Sequence, residues 1–167
     1  MKYLLTLLLF ASFISATAQT EAEIRKHYQE VNQQVQESKE KGYEGPLYGN
    51  RVITNTTGKS WPAVGRFADT TDFWYDDPPD HLPSSERDPK KVLLKINIHR
   101  ESSHLHVYEE YLFRNGVLLF YYSLQAEEGH GWETRVWFNA KGVLKTNIRV
   151  NELEVTPADL EYPDLVP

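Results

Sequence analysis

Three histidines lie near one another in a polar stretch, in a pattern that suits metal binding. His104 and His106 form a His-x-His pair, and His99 precedes them. If a two-residue turn at Glu101-Ser102 joins two antiparallel strands, His99 faces His104 and His106 follows on the same face, an arrangement suited to Zn²⁺. The alternative is that these side chains simply alternate outward on a half-exposed strand. A turn one residue longer would also send His99 to the opposite face from its partners.

Aromatic rings and carboxylates follow one another in the segment from Asp72 to Asp77. Exposed rings stack on the apolar face of a sugar while carboxylates accept hydrogen bonds from its hydroxyl groups, so this segment is a candidate glycan site. Its proposed ligand-binding residues are Trp74, Tyr75, Asp76 and Asp77. The alternative is that the aromatic rings alternate into the core and the aspartates begin a solvated loop.

Two pairs of adjacent acids, Glu109-Glu110 and Glu127-Glu128, raise the question of glycoside hydrolysis, which needs two carboxyl groups on one substrate. Neighbours on a strand point to opposite faces, so neither pair can act together. Glu109 falls on a predicted apolar face, where a carboxylate needs a partner. Arg135 is that partner only if the meander curls or the register differs by one residue. The alternatives to a buried ion pair are an error in the predicted register and a catalytic acid with a perturbed pKa. The sequence also lacks cysteine, a Gly-x-Ser-x-Gly motif and a phosphate-binding glycine loop.

The elements that position these residues begin with a helix. Thr20 and Glu23 form a capping box, in which each side chain satisfies a free backbone donor of the first turn. Apolar residues then recur at helical spacing and define one buried stripe. These residues are Ile24, Tyr28, Val31 and Val35. Gly42 suits the left-handed conformation that ends a helix.

Glycine and proline interrupt the next segment, which predicts short strands at about Gly49–Asn55 and Arg66–Tyr75. The proline-rich stretch from Asp76 to Pro89 predicts a surface loop. Beyond it, alternating apolar residues from Val92 to Ile98 predict a half-buried strand.

Asn115-Gly116 is typical of a tight hairpin turn, since both of its residues tolerate positive φ. Pairing outward from this turn predicts one apolar face for the helix to cover. The predicted pairs are Phe113 with Leu118, Tyr111 with Phe120, Glu109 with Tyr122, and Val107 with Leu124. The outward residues then form a strip opposite the helix, made of Tyr108, Leu112, Leu119 and Tyr121, and its tyrosines are further ligand-binding candidates.

A further turn ending at Gly142 joins Trp132–Phe138 to Val143–Val150, with predicted pairs Phe138–Leu144, Val136–Thr146 and Trp132–Val150. Consecutive strands with short connections make a meander, and its apolar face must be covered. We therefore expect an α+β fold, with one N-terminal amphipathic helix packed on an antiparallel β-meander of about five or six strands. This domain spans residues 19–155, and a proline-rich tail covers residues 156–167.

Residues 1–18 have the features of a cleavable export signal. Lys2 supplies a positive charge, an apolar run extends from Tyr3 to Ile14, and small residues end at Ala18. The run is shorter than the roughly 20 residues of a membrane-spanning helix. We therefore expect an exported protein, periplasmic or extracellular, that is not inserted in a membrane after signal removal.

The formal net charge of −6 and the dispersed basic residues argue against a nucleic-acid partner. An aromatic content of 13% favours either strands or a binding surface. We favour a non-catalytic binding or interaction protein with a protein or glycan partner and no cofactor. The alternatives are a hydrolase that uses carboxylates or a histidine-bound zinc ion, and a structural component of the cell envelope.

Overall fold

The computed structural model describes residues 20–63, 65–76, 92–127 and 129–156. In these residues, one α-helix and a short 3-10 helix, Gly42–Glu44, are followed by eight strands that pair in chain order in one antiparallel sheet. The bounds are α1 Glu21–Lys41, β1 Tyr48–Thr54, β2 Phe67–Tyr75, β3 Leu93–Ser102, β4 Leu105–Arg114, β5 Val117–Glu127, β6 His130–Asn139, β7 Gly142–Val150 and β8 Leu153–Val155. The α+β class and the meander are confirmed, but the sheet has eight strands rather than five or six.

Three predicted features fall wholly or mostly outside the described residues. They are the export signal at residues 1–18, the loop from Asp76 to Pro89 beyond Asp76, and the tail beyond Thr156.

The predicted helix is confirmed at both ends. The Thr20 backbone N–H donates to Glu23 Oε2 at 2.9 Å, and the Glu23 N–H donates to Thr20 Oγ1 at 3.3 Å. The helix ends where Gly42 takes a φ of 62°. Local chemistry therefore determines both the start and the end of α1.

The helix lies across the strands, so that successive turns contact successive strands. From the first turn to the last, these contacts are Glu21 with Lys145 of β7, Arg25 with Trp137 of β6, Tyr28 with Phe120 of β5, Asn32 with Lys95 of β3, and Lys39 with Trp74 of β2. A helical turn rises about 5.4 Å, close to the roughly 4.8 Å between strands. This match lets one helix contact most of the width of the sheet.

Three β-bulges lie in a line under the helix. Each inserts one unpaired leucine: Leu94 on β3, Leu119 on β5 and Leu144 on β7. Because a bulge bends its strand and increases the local twist, three in a row curve the sheet along this line. At the central bulge, Leu119 and Phe120 both enter the core beneath α1.

The central bulge also corrects the predicted faces of the sheet. Phe113 pairs with Leu118 as expected, but Tyr111 pairs with Tyr121, Glu109 with Ser123, and Val107 with Gln125. The prediction assumed an unbroken ladder, and Leu119 shifts it by one residue. The helix therefore covers the face with Leu112, Phe120 and Trp137, which we call the helix face. The opposite face, which we call the far face, carries Phe73, Ile96, Tyr111, Tyr121 and Val136.

Consequently, the predicted outward strip is wrong. Leu112 and Leu119 are buried beneath α1, and Tyr108 lies half-buried on the helix face. Only Tyr121 of the four residues points away from the helix.

The turns were predicted with mixed success. Asn115 and Gly116 take φ values of 53° and 77°, which confirms their hairpin. The turn between β3 and β4 is at Ser103-His104 rather than Glu101-Ser102, because Ser102 pairs with Leu105.

The β6–β7 and β7–β8 connections show why sequence patterns do not detect bulges and short strands. Val136–Thr146 and Trp132–Val150 pair as predicted, whereas Phe138 pairs with Val143 because Leu144 is bulged out. Strand β8 was missed because it has three residues and its turn, at Asn151-Glu152, lacks glycine.

Leu119 and Leu144 offer a matched test of the bulge line. Leu119 is 1% exposed and Leu144 is 40% exposed, although both are bulged leucines. We expect Leu119→Ala to lower the free energy of unfolding by about 2–5 kcal/mol through cavity formation. Leu144→Ala should lower it by less than about 1 kcal/mol. Urea denaturation measures both, and equal losses would contradict the burial of Leu119 under the helix.

Candidate functional site

The helix covers only one end of the strands on its face. Its contacts follow Leu112 and Phe120, close to the Asn115-Gly116 turn, whereas β4 and β5 continue well beyond them. Each strand residue adds about 3.3 Å, so β4 and β5 are much longer than the width of a helix, which is about 10 Å. Part of the helix face therefore lies uncovered beside α1.

This uncovered area, which we call the tyrosine shelf, is formed by Tyr108, Tyr122, Leu124, Arg135 and Arg149. A cleft of about 320 Å³ separates it from the helix, and a groove of about 750 Å³ continues over β5 to β7. Tyr122 and Arg135 line both, so the two depressions adjoin. Their combined size suits a small ligand or part of a chain-like one.

Ring contacts run across the shelf from strand to strand. The His99 and Tyr108 rings are 4.6 Å apart, and the Tyr108 and Tyr122 rings are 6.1 Å apart. The Arg135 guanidinium lies 5.5 Å from the Tyr122 ring centre. Leu124, 39% exposed, adds an apolar surface beside them. The shelf thus combines flat apolar surfaces with hydrogen-bond donors.

The charges on the shelf balance one another. The Glu133 carboxylate forms an ion pair with Arg135, and Arg149 Nη1 lies 3.8 Å from Glu133 Oε2. Arg149 Nε is buried without a hydrogen-bond partner. Burial, followed by the Glu133 carboxylate, raises the pKa of Tyr122 to about 12, so its hydroxyl stays protonated at neutral pH.

A buried carboxylate anchors the shelf to the helix. Glu110 Oε1 lies 2.9 Å from Lys95 Nζ, and Tyr28 donates to its Oε2 at 2.5 Å. Tyr108 and Asn97 also donate to Oε1. The carboxylate is therefore saturated with donors, and one of them fixes a shelf tyrosine.

Ionisation of Glu110 is stabilised by these donors. Burial would raise the pKa of the carboxyl, but the Lys95 ammonium and the hydroxyls of Tyr108 and Tyr28 outweigh it and hold the pKa below its ordinary value. Burial lowers the pKa of Lys95, against the opposing pull of Glu110. Glu110 is thus ionised at neutral pH, which a general acid cannot be.

The structure separates the predicted Trp74 constellation. Trp74 is buried beneath Lys39, and its ring lies against Gly49, where a Cβ would be 3.0 Å from it. Tyr75 points to the far face and stacks on Phe73. Asp76 is exposed, and Asp77 lies outside the described residues. The alternation of strand β2 therefore splits the ring pair on which the glycan hypothesis for this segment depended.

The predicted pairing of the histidines is not formed. His99 pairs with Tyr108 and His106 with Glu101, while His104 lies in the turn and contacts Glu127 at 2.6 Å. In the described ranges, no group of three or more histidine, aspartate or glutamate side chains is placed to hold a metal ion. The zinc hypothesis was based on a pairing of His99 with His104 that the structure does not contain.

Glu109 and Glu110 point to opposite faces, as predicted, whereas Glu128 of the other pair lies outside the described residues. Glu109 lies on the far face with Arg100 at 3.0 Å and the Tyr121 hydroxyl at 2.8 Å. Its partner is thus Arg100, not Arg135, which is on the helix face. Of the predicted tyrosines, Tyr108 belongs to the shelf and Tyr121 to this far-face cluster.

Sequence patterns missed Tyr122, Arg135 and Arg149. The signal available was the spacing of two between Tyr122 and Leu124, which places both on one face. The sequence did place Tyr122 and Leu124 on the helix face, but their partners on β4 were one residue out of register because the bulge at Leu119 was not predicted.

No known family model, curated protein or solved structure matches this chain. Within the described residues, no helix is long and apolar enough to cross a membrane. The geometry of the shelf is therefore the main indication of function.

The buried pair allows a double-variant test. We expect Lys95→Met to lower the free energy of unfolding by about 3–5 kcal/mol, because it leaves Glu110 without its counter-ion. Adding Glu110→Gln should recover part of this loss, which denaturation of both single variants and the double variant measures. Additive losses would show that the two side chains do not interact.

The pKa direction of Glu110 predicts a pH dependence. Since its folded-state pKa lies below the ordinary value of 4.5, ionised Glu110 stabilises the protein above that pH. This contribution disappears as the pH falls through the folded-state pKa. The stability difference between the wild type and Glu110→Gln should therefore be large at pH 7 and shrink below about pH 4.5. A difference independent of pH would contradict the predicted ionisation.

Proposed function

We propose that this protein is an exported, non-catalytic binding protein and that the tyrosine shelf holds a segment of a glycan chain. The observation that carries the proposal is the row of half-buried tyrosine rings beside arginine and carboxylate groups in an open groove. Aromatic rings stack on the apolar faces of sugars, and planar polar groups at the rim bind hydroxyls.

The charge balance supports an uncharged sugar as the ligand. Arg135 and Arg149 share Glu133, and Glu152 also lines the groove. No net charge is therefore left to attract an ionic ligand.

The state of the nearby carboxylates supports binding without cleavage. Glu110 is saturated by four donors, and Glu133 is held by arginines. Glycoside hydrolysis needs one carboxyl group that keeps a proton near neutral pH. Glu110, whose pKa is held below its ordinary value, does not meet that requirement. Export follows the signal-like residues 1–18 and is part of the same proposal.

Adjacent tyrosines provide a matched test. Tyr122 lies on the shelf and Tyr121 on the far face. We expect Tyr122→Ala to weaken glycan binding about tenfold, since ring contacts contribute roughly 0.5–1.5 kcal/mol beyond area burial. Tyr121→Ala should leave affinity unchanged. A glycan array identifies the ligand, and calorimetry on each variant measures its affinity.

Three outcomes would contradict the proposal. Equal losses of affinity in both variants would show that the shelf is not the binding surface. Binding of peptides but of no glycan would show that the proposed ligand class is wrong. Release of reducing sugar ends from a bound glycan would show catalysis.

A further inference from the structure

Strand β1 forms one edge of the sheet and is poorly protected against pairing. Tyr48–Thr54 pairs with β2 over its whole length without a register shift. No other described strand lies on its outer side, and all seven of its residues are exposed. Its outward N–H and C=O groups are thus accessible to another strand.

Edge strands of monomeric proteins are normally short, bulged, or marked by charged side chains, especially lysine, or by proline. β1 has seven residues and no bulge, lysine or proline, and its one charged residue, Arg51, is paired with Asp72 of β2. At the opposite edge, β8 has three residues and follows a turn in which Asn151 and Glu152 both have positive φ. The two edges therefore differ in how well they resist association.

β1 itself carries exposed apolar side chains. They are Tyr48 at 61% exposed, Val52 at 51% and Ile53 at 50%. Val52 and Ile53 point to opposite faces, since their partners Thr71 and Thr70 are adjacent on β2. The edge thus offers apolar contacts above and below the sheet.

The charge pattern suits a second copy of the same strand. Arg51 is the one charged residue of β1. It forms a bidentate ion pair with Asp72, in which Nε donates to Oδ1 at 2.6 Å and Nη2 donates to Oδ2 at 2.8 Å. An antiparallel pairing centred on Val52 places Arg51 opposite Ile53 of the copy and Asn50 opposite Thr54. No like charges then face each other.

We propose that two copies of this chain pair through β1, antiparallel across a two-fold axis, so that one continuous sheet runs through both subunits. Residues opposite each other in such a pairing point to the same face. Both helices and both tyrosine shelves therefore lie on one side of the dimer. Two shelves on one side can engage the same multivalent ligand, but the dimer does not depend on what the shelf binds.

Molar mass measured by light scattering after gel filtration tests the pairing directly. The purified wild-type protein should have twice the mass of one chain. The double variant Val52→Lys/Ile53→Lys should have the mass of one chain, because lysine on an edge strand blocks pairing. Leu153→Lys, at the opposite edge, is the matched control and should remain dimeric.

Circular dichroism of each variant confirms that the fold is kept, as expected for substitutions at exposed positions. Amide hydrogen exchange gives a second measurement that needs no variant: β1 amides should become more protected as the protein is concentrated. A wild type that remains monomeric at all concentrations would overturn the proposal. So would a dimer that survives the β1 double variant, or one that Leu153→Lys dissociates.

Discussion

The structure depends on the contact between one helix and the line of bulges beneath it. One helical turn rises by nearly the distance between two strands, so α1 contacts a new strand with each turn. The bulges at Leu94, Leu119 and Leu144 curve the sheet along that line. Because the line runs close to one end of the strands, the rest of the helix face is left beside the helix. The tyrosine shelf is the consequence of this off-centre position.

Polar groups fix the helix as firmly in position as apolar ones. Lys95, Asn97 and Glu110 are buried under α1, where hydrophobic residues would be expected. A buried ion pair adds little net stability over an apolar replacement, but breaking it is costly. This network therefore favours one helix placement over neighbouring ones, because a shift of the helix would remove the Tyr28 donor from Glu110 and the Asn32 acceptor from Lys95. The same network holds Tyr108 in the shelf.

Local signals in the sequence predicted much of the fold, because they depend on neighbouring residues alone. The Thr20 capping box, Gly42 and the Asn115-Gly116 turn are such signals. The face of β5 was predicted correctly, but that of β4 was not, since Val117 to Phe120 is apolar throughout and gives no sign of the bulge at Leu119. Lys95 and Glu110 have the residue types of surface positions, and only their three-dimensional pairing explains their burial. Of the candidate site, Tyr108 was named but on the wrong face, whereas Tyr122, Arg135 and Arg149 were not named as ligand-binding residues.

The central claim is that α1 packs on the face of Phe120 and Trp137 and leaves the far face free of the helix. Nuclear Overhauser effects between aromatic side chains test it most directly, since they report protons only a few ångströms apart. The structure predicts cross-peaks from the Tyr28 ring to Phe120, whose ring centroids are 5.3 Å apart. Cross-peaks from Tyr28 to Tyr111 or Val107 would place the helix on the opposite face and contradict the account.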